Sequence, residues 1–232
     1  MSGELFRRRS AELAVRVGLN LRPGQFVLVV APPELAANAR EVARCAWQAG
    51  AGDVELFYFD SQQTFLLAEY GRKEILDRTT IAEEAIVRAL FKLQPALVQV
   101  LGDLAPPHAE LDPARLAKTV PRLAVELNQK LLRERGMAWN VIAAPTETWA
   151  ERLFGEPDVE RLERLVARAM RLDCADPVAA WRERLAALLE RRQLVDGCGF
   201  DALQFRGPGT DLAVPLAPNT EWESASGGRR GG

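Results

Sequence analysis

Apolar positions along this chain follow two rhythms, a helical spacing and short unbroken runs. From Glu4 to Val17 the spacing predicts an amphipathic helix, with Phe6, Leu13 and Val17 on one face and Gly18 stopping it. Phe26 to Ala31 is apolar without interruption, as in a strand covered on both faces, and Pro32-Pro33 end it. Glu34 to Ala49 is helical again, with Leu35, Ala39, Val42, Ala43 and Ala46 inward and Gly50 as the cap. The alternation repeats. Strands are predicted at Val54–Phe59, Ala96–Leu101 and Trp139–Ala144. Helices are predicted from Thr80 to Lys92, where Thr80 and Glu83 form a capping box, and from Thr146 to Phe154 and Asp158 to Arg171. A further helical stretch starts at Asp112-Pro113, breaks at Pro121 and ends at Gly136, while Asp60-Ser61 can cap the segment after the second strand.

The pattern then changes. Asp176 to Arg191 reads as a strong helix, with Asp176 as its cap and Pro177 at its first position. After it come two short strands, Leu203 to Phe205 and Leu212 to Leu216, around the turn Gly207-Pro-Gly-Thr-Asp211, where Gly207 and Gly209 can take positive φ. Four strands of the buried type, Val54–Phe59 among them, separated by helices predict an α/β fold: a mostly parallel sheet with helices on both faces, followed by a β-hairpin that begins a truncated second domain. The expected boundaries are an α/β domain over 1–199, the start of a β-rich domain over 200–222 and a disordered tail over 223–232.

Composition narrows the class. Of 232 residues, 48% are apolar and 27% charged, an ordinary balance for a folded protein large enough to need no disulfides. A formal net charge of −2 gives no electrostatic case for nucleic acid or an anionic membrane. Cys45, Cys174 and Cys198 have no paired spacing and point to a reducing compartment. Neither a leader-like segment nor a membrane-length apolar run is present in the sequence, so a cytoplasmic location is expected.

In open parallel sheets ligands bind beyond the carboxyl ends of the strands, and the residues delivered there are Glu34, Asp60, Asp103 and Thr146. Three carboxylates around a crevice could hold a divalent cation or an amino group; helix capping accounts for the same residues more simply. Gly50-Ala51-Gly52 follows a helix and precedes a strand, the reverse of a dinucleotide-binding turn, and reads as a helix end. Gly207, Gly209, Thr210 and Asp211 read as a tight turn rather than a phosphate nest, because no helix follows. His108, the single histidine, sits in a proline-rich loop without a nucleophile beside it. Trp47, Trp139, Trp149 and Trp181 are expected to be core or interface anchors.

Several stretches resemble the thermophilic M29-type (aminopeptidase T-like) metallo-aminopeptidase family. They are Ala11 to Gln25, Ala46 to Ala51, Ala144-Pro-Thr146 with Trp149-Ala150 and Phe154, and Arg171-Leu-Asp173 with Asp176-Pro177 and Trp181. Leu203, Phe205, Gly207 to Leu212 and Trp222 complete the set. The resemblance implies an α/β N-terminal domain joined to a catalytic domain, usually in a homodimer. It also implies removal of N-terminal amino acids from peptides by two divalent metal ions such as zinc, cobalt or magnesium.

In that family the tryptophan precedes an Asn-x-Pro-Thr-Glu-Glu segment whose glutamate begins the ligand set. Nothing after Trp222 matches it, so no catalytic or metal residue carries over, and a truncation or frameshift near residue 222 is expected. The expectation is therefore the N-terminal portion of an aminopeptidase, with no metal of its own and inactive alone. Its missing catalytic domain, or a homodimer, is the expected partner. The alternative is a stand-alone α/β binding or protein-interaction module. In either case the hairpin's apolar residues are expected to be poorly covered.

Overall fold

The computed structural model describes residues 1–76, 78, 80–104, 112–119, 125 and 138–222. His108, the break at Pro121, the stop at Gly136, the side chain of Glu83 and the tail over 223–232 lie outside the described residues. The chain divides into two compact units, Met1–Val178 and Ala179–Gly232.

The first unit is built on four parallel strands, β1 (Phe26–Ala31), β2 (Asp53–Tyr58), β3 (Ala96–Leu101) and β4 (Trp139–Ala143), in the order β2-β1-β3-β4. Register follows the pleat: Val27 lies beside Val54 and Ala96, Val29 beside Leu56 and Val98, and Val100 beside Ile142. One face therefore gathers Val27, Val29, Ala31, Ala96, Val98, Val100 and Ile142 into a core. Helix α2 (Ala36–Gln48) closes it with Ala39, Val42, Cys45 and Ala46, all buried. Gly50, at φ +89, ends that helix in the left-handed cap its sequence anticipates.

Helix α1 (Gly3–Leu13) packs against α2, but it does not run to Val17 as predicted. A π-type turn occupies Ala14–Gly18, with the Leu19 amide bonding to the Ala14 carbonyl at 2.8 Å. The wider turn changes which residues face inward: Val15 and Leu19 enter the core and Val17 is left half-buried.

Helix α3 (Ser61–Tyr70) follows β2, α4 (Ile81–Leu93) precedes β3, and a short α5 (Pro113–Leu116) starts at Asp112. Arg115 reaches back from α5 and donates to the carbonyls of Ala68 (2.6 Å) and Gly71 (2.5 Å), so it satisfies the carboxyl end of α3. After β4 come α6 (Glu147–Phe154), capped by Thr146 as the sequence anticipates, and α7 (Val159–Ala169), capped by Asp158. Leu162, Ala167 and Leu172 are buried, and Arg9 of α1 donates to the carbonyls of Leu172 and Cys174.

Two expectations need correction. The run Val54–Phe59 is as apolar as many buried strands, but β2 is an outer strand with one partner, and Leu56, Phe57 and Tyr58 are each more than a third exposed. An apolar run records hydrophobicity; it does not record how many neighbours a strand has. Trp47 and Trp139 are not core anchors either, being 51% and 52% exposed.

In the second unit, helix α8 (Pro177–Cys198), which begins at the last residues of the first, extends seven residues past the predicted Arg191. Strands β5 (Ala202–Gly207) and β6 (Thr210–Pro215) pair antiparallel. Of the two turn glycines only Gly209 takes positive φ, at +76; Gly207 stays in the ladder opposite Thr210. Pro208 followed by a positive-φ glycine has the signature of a type II turn. Leu203 faces Val214 and Phe205 faces Leu212, so one face of the hairpin is apolar. Phe205, Leu212 and Val214 are nonetheless exposed, the poor coverage expected of an isolated hairpin.

Candidate functional site

The carboxyl ends of the parallel strands are shaped by what stops each strand. Pro32 and Pro33 end β1, and a 3-10 turn over Pro33–Leu35 leaves Glu34 exposed while burying Leu35. Asp60, beyond β2, accepts the Gln62 amide at 2.9 Å and caps α3. After β3 the chain passes through Gly102, where a Cβ would stand 2.8 Å from the Ala144 carbonyl oxygen and 3.2 Å from Leu35 Cδ1. The loops after β1, β3 and β4 meet at that point, and only glycine fits between them.

Asp103 and Thr146 are brought together. The Thr146 hydroxyl donates to the Asp103 carbonyl and accepts the Trp149 amide at 3.2 Å. The Asp103 carboxylate pairs with Arg152 of α6 at 3.0 Å, with side chains 30% and 57% exposed. Asp60 stands at the end of the outer strand β2, and Glu34 on its own exposed turn. A shallow concavity of about 380 Å³ opens beside Asp103, lined by Leu101, Gly102, Val141, Ala143 and Trp149. Sequence reasoning missed Arg152; its place three residues after Trp149, on the same helix face, was the available signal.

Other reactive groups are quiet. The Cys45 thiol is buried and pushed up to about 11 by desolvation, which leaves almost no thiolate at neutral pH. Gly207, Gly209, Thr210 and Asp211 form the hairpin turn; Arg206 and Asp211 lie 3.7 Å apart and open to water. Among the described residues no group of three or more His, Cys, Asp or Glu side chains could hold a metal ion, and none of the described helices is long and apolar enough to cross a membrane. The described donors therefore do not fit a metal pair, since the best-placed carboxylate, Asp103, is already matched with a guanidinium.

These features define an open parallel α/β domain with a helix and hairpin after it in sequence. The profile of the thermophilic metalloprotease family, M29, matches residues 7–232, and the chain belongs to that family. It is 32% identical over 229 residues to aminopeptidase T of Thermus thermophilus, covering 96% of this chain and 56% of the relative. It is 27% identical to aminopeptidase 2 of Geobacillus stearothermophilus, covering 93% of this chain and 54% of the relative. The solved structure of wild-type AmpT from Thermus thermophilus superposes with a TM-score of 0.80 at 29% identity, over 93% of this chain and 54% of that one. The chain thus spans about half the length of the curated relatives it matches.

Proposed function

We propose that this chain is the N-terminal portion of an aminopeptidase that removes N-terminal amino acids from peptides by two-metal hydrolysis, and that its 232 residues alone are inactive. The observation that carries the reading is the match to named aminopeptidases across both units of the chain, which covers about half of those relatives' length. A two-metal centre asks for several carboxylates and histidines, and this sequence has a single histidine, at position 108. The ligands for zinc, cobalt or magnesium therefore come from polypeptide corresponding to the rest of the relatives' length.

In this reading residues 1–199 are the α/β domain and 200–222 open the catalytic domain. The intact enzyme is a homodimer acting on peptides in the cytoplasm, and the three unpaired cysteines support that compartment.

The test is direct. The purified chain, supplied with each metal, should release no free amino acid from a peptide with an apolar first residue. A fusion of this chain to the portion of Thermus thermophilus aminopeptidase T beyond the matched region should release it. Metal-dependent hydrolysis by the unfused chain would overturn the inactivity, and a folded, metal-loaded but inert fusion would overturn the assignment.

A further inference from the structure

We propose that the concavity at the carboxyl end of β3 and β4 binds a free α-amino acid with an apolar side chain. Its floor is the sheet face that does not enter the core. There Leu101 is 40% and Val141 43% exposed, and the register sets them diagonally next to each other, with Ala143 opposite Leu101. Trp149 stands as a wall from α6, and the volume of about 380 Å³ lies at the small end of ligand pockets. Apolar surface of this kind takes a side chain the size of leucine or phenylalanine.

The rim selects the other end of the ligand. Asp103, which lines the concavity, carries a carboxylate, and the Arg152 guanidinium lies 3.0 Å from it, just beyond the lining; both are reachable by solvent. Together they bring opposite charges to one edge of an apolar floor. The complementary headgroup also carries both charges: an α-ammonium for Asp103 and an α-carboxylate for Arg152. An ion pair exposed to this degree contributes little by itself, so exchanging each partner for a ligand group costs little. The loop that presents Asp103 is held by the Thr146 hydroxyl on its carbonyl, and the close packing at Gly102 fixes its approach. The carboxylate is therefore presented from a braced position.

Binding is read without turnover, so this inference stands or falls separately from the peptidase reading. In nitrogen-15 NMR of the full chain, titration with leucine or phenylalanine should shift the Trp149 indole signal, which a Trp149→Phe variant identifies among the five tryptophans. The expected affinity is about 1 mM, with glycine, leucinamide and N-acetylleucine each about tenfold weaker. Asp103→Asn, at a half-buried position, and Arg152→Gln, at an exposed one, should each weaken leucine about fivefold or more while leaving the remaining spectrum in place. No shift of the Trp149 indole at saturating leucine overturns the proposal. So does leucinamide or N-acetylleucine binding as tightly as leucine, or leucine affinity unchanged in Arg152→Gln.

Discussion

Strands β1 and β6 have the same length and opposite fates. In β1, Val27, Leu28, Val29 and Ala31 are buried; in β6 every residue is exposed. Apolarity alone does not separate them, because Leu212, Ala213 and Val214 are as apolar as many residues of the core. The difference is the number of neighbours. β1 has a parallel strand on each side and a helix on one face, whereas β6 has β5 and one apolar face without cover. Burial is a property of the partner set, and a sequence reports only the readiness to be buried.

Matched substitutions sharpen that contrast, beginning with the largest effect. Val29→Asp places a carboxylate at a position with 0% exposure, in an apolar core. It should cost several kcal/mol and abolish cooperative thermal unfolding of the first unit, as measured by circular dichroism. Leu212→Asp, at a position 50% exposed, should change stability by no more than about 0.5 kcal/mol and reduce self-association in light scattering. Equal losses in the two variants would mean that the hairpin face is as covered as the core. A second pair concerns glycines. At Gly52 a new Cβ would stand 2.5 Å from the Gly24 carbonyl oxygen, so Gly52→Ala should cost about 1–3 kcal/mol by denaturant titration. At Gly209 there is open space, and Gly209→Ala should cost only the strain of its positive φ, about 1 kcal/mol.

The same contrast explains what could be read from the sequence. The inward face of α2 was visible as Leu35, Ala39, Val42, Ala43 and Ala46 because a regular helix converts spacing into direction. The face of α1 beyond Leu13 was not, because the π-type turn after it breaks that conversion and brings in Val15 and Leu19 instead of Val17. β2 reads as buried because composition cannot show that a strand will end up outermost. At the candidate site, Asp60 and Thr146 could be named as caps from their place before helices. The pairing of Asp103 with Arg152 joins the loop after β3 to the helix after β4, and the sequence marked only that Arg152 shares a helix face with Trp149.

Smaller effects test the loops. Thr146→Ala removes both the cap of α6 and the bond that ties the loop after β4 to Asp103, and should cost about 1 kcal/mol. Thr146→Ser should recover most of it in the same denaturant titration, since the hydroxyl makes both bonds and the methyl group is secondary.

The smallest effect is a pH dependence from Glu163, on the buried side of α7, only 8% exposed. Burial raises its carboxyl above the ordinary 4.5, with Arg7 and the chain's amino terminus opposing the rise and Glu160 adding to it. A raised folded-state pKa means that the folded protein holds this proton more tightly than the unfolded chain. The stabilisation is complete below pH 4.5 and is lost as pH climbs from there through the folded value. Glu163→Gln cannot lose a proton. It should match the parent near pH 4 and exceed it at pH 7, with a flatter stability profile between, as measured by urea unfolding across that range. A variant less stable than the parent at pH 7 would show that Arg7 holds the charged carboxylate more strongly than burial opposes it.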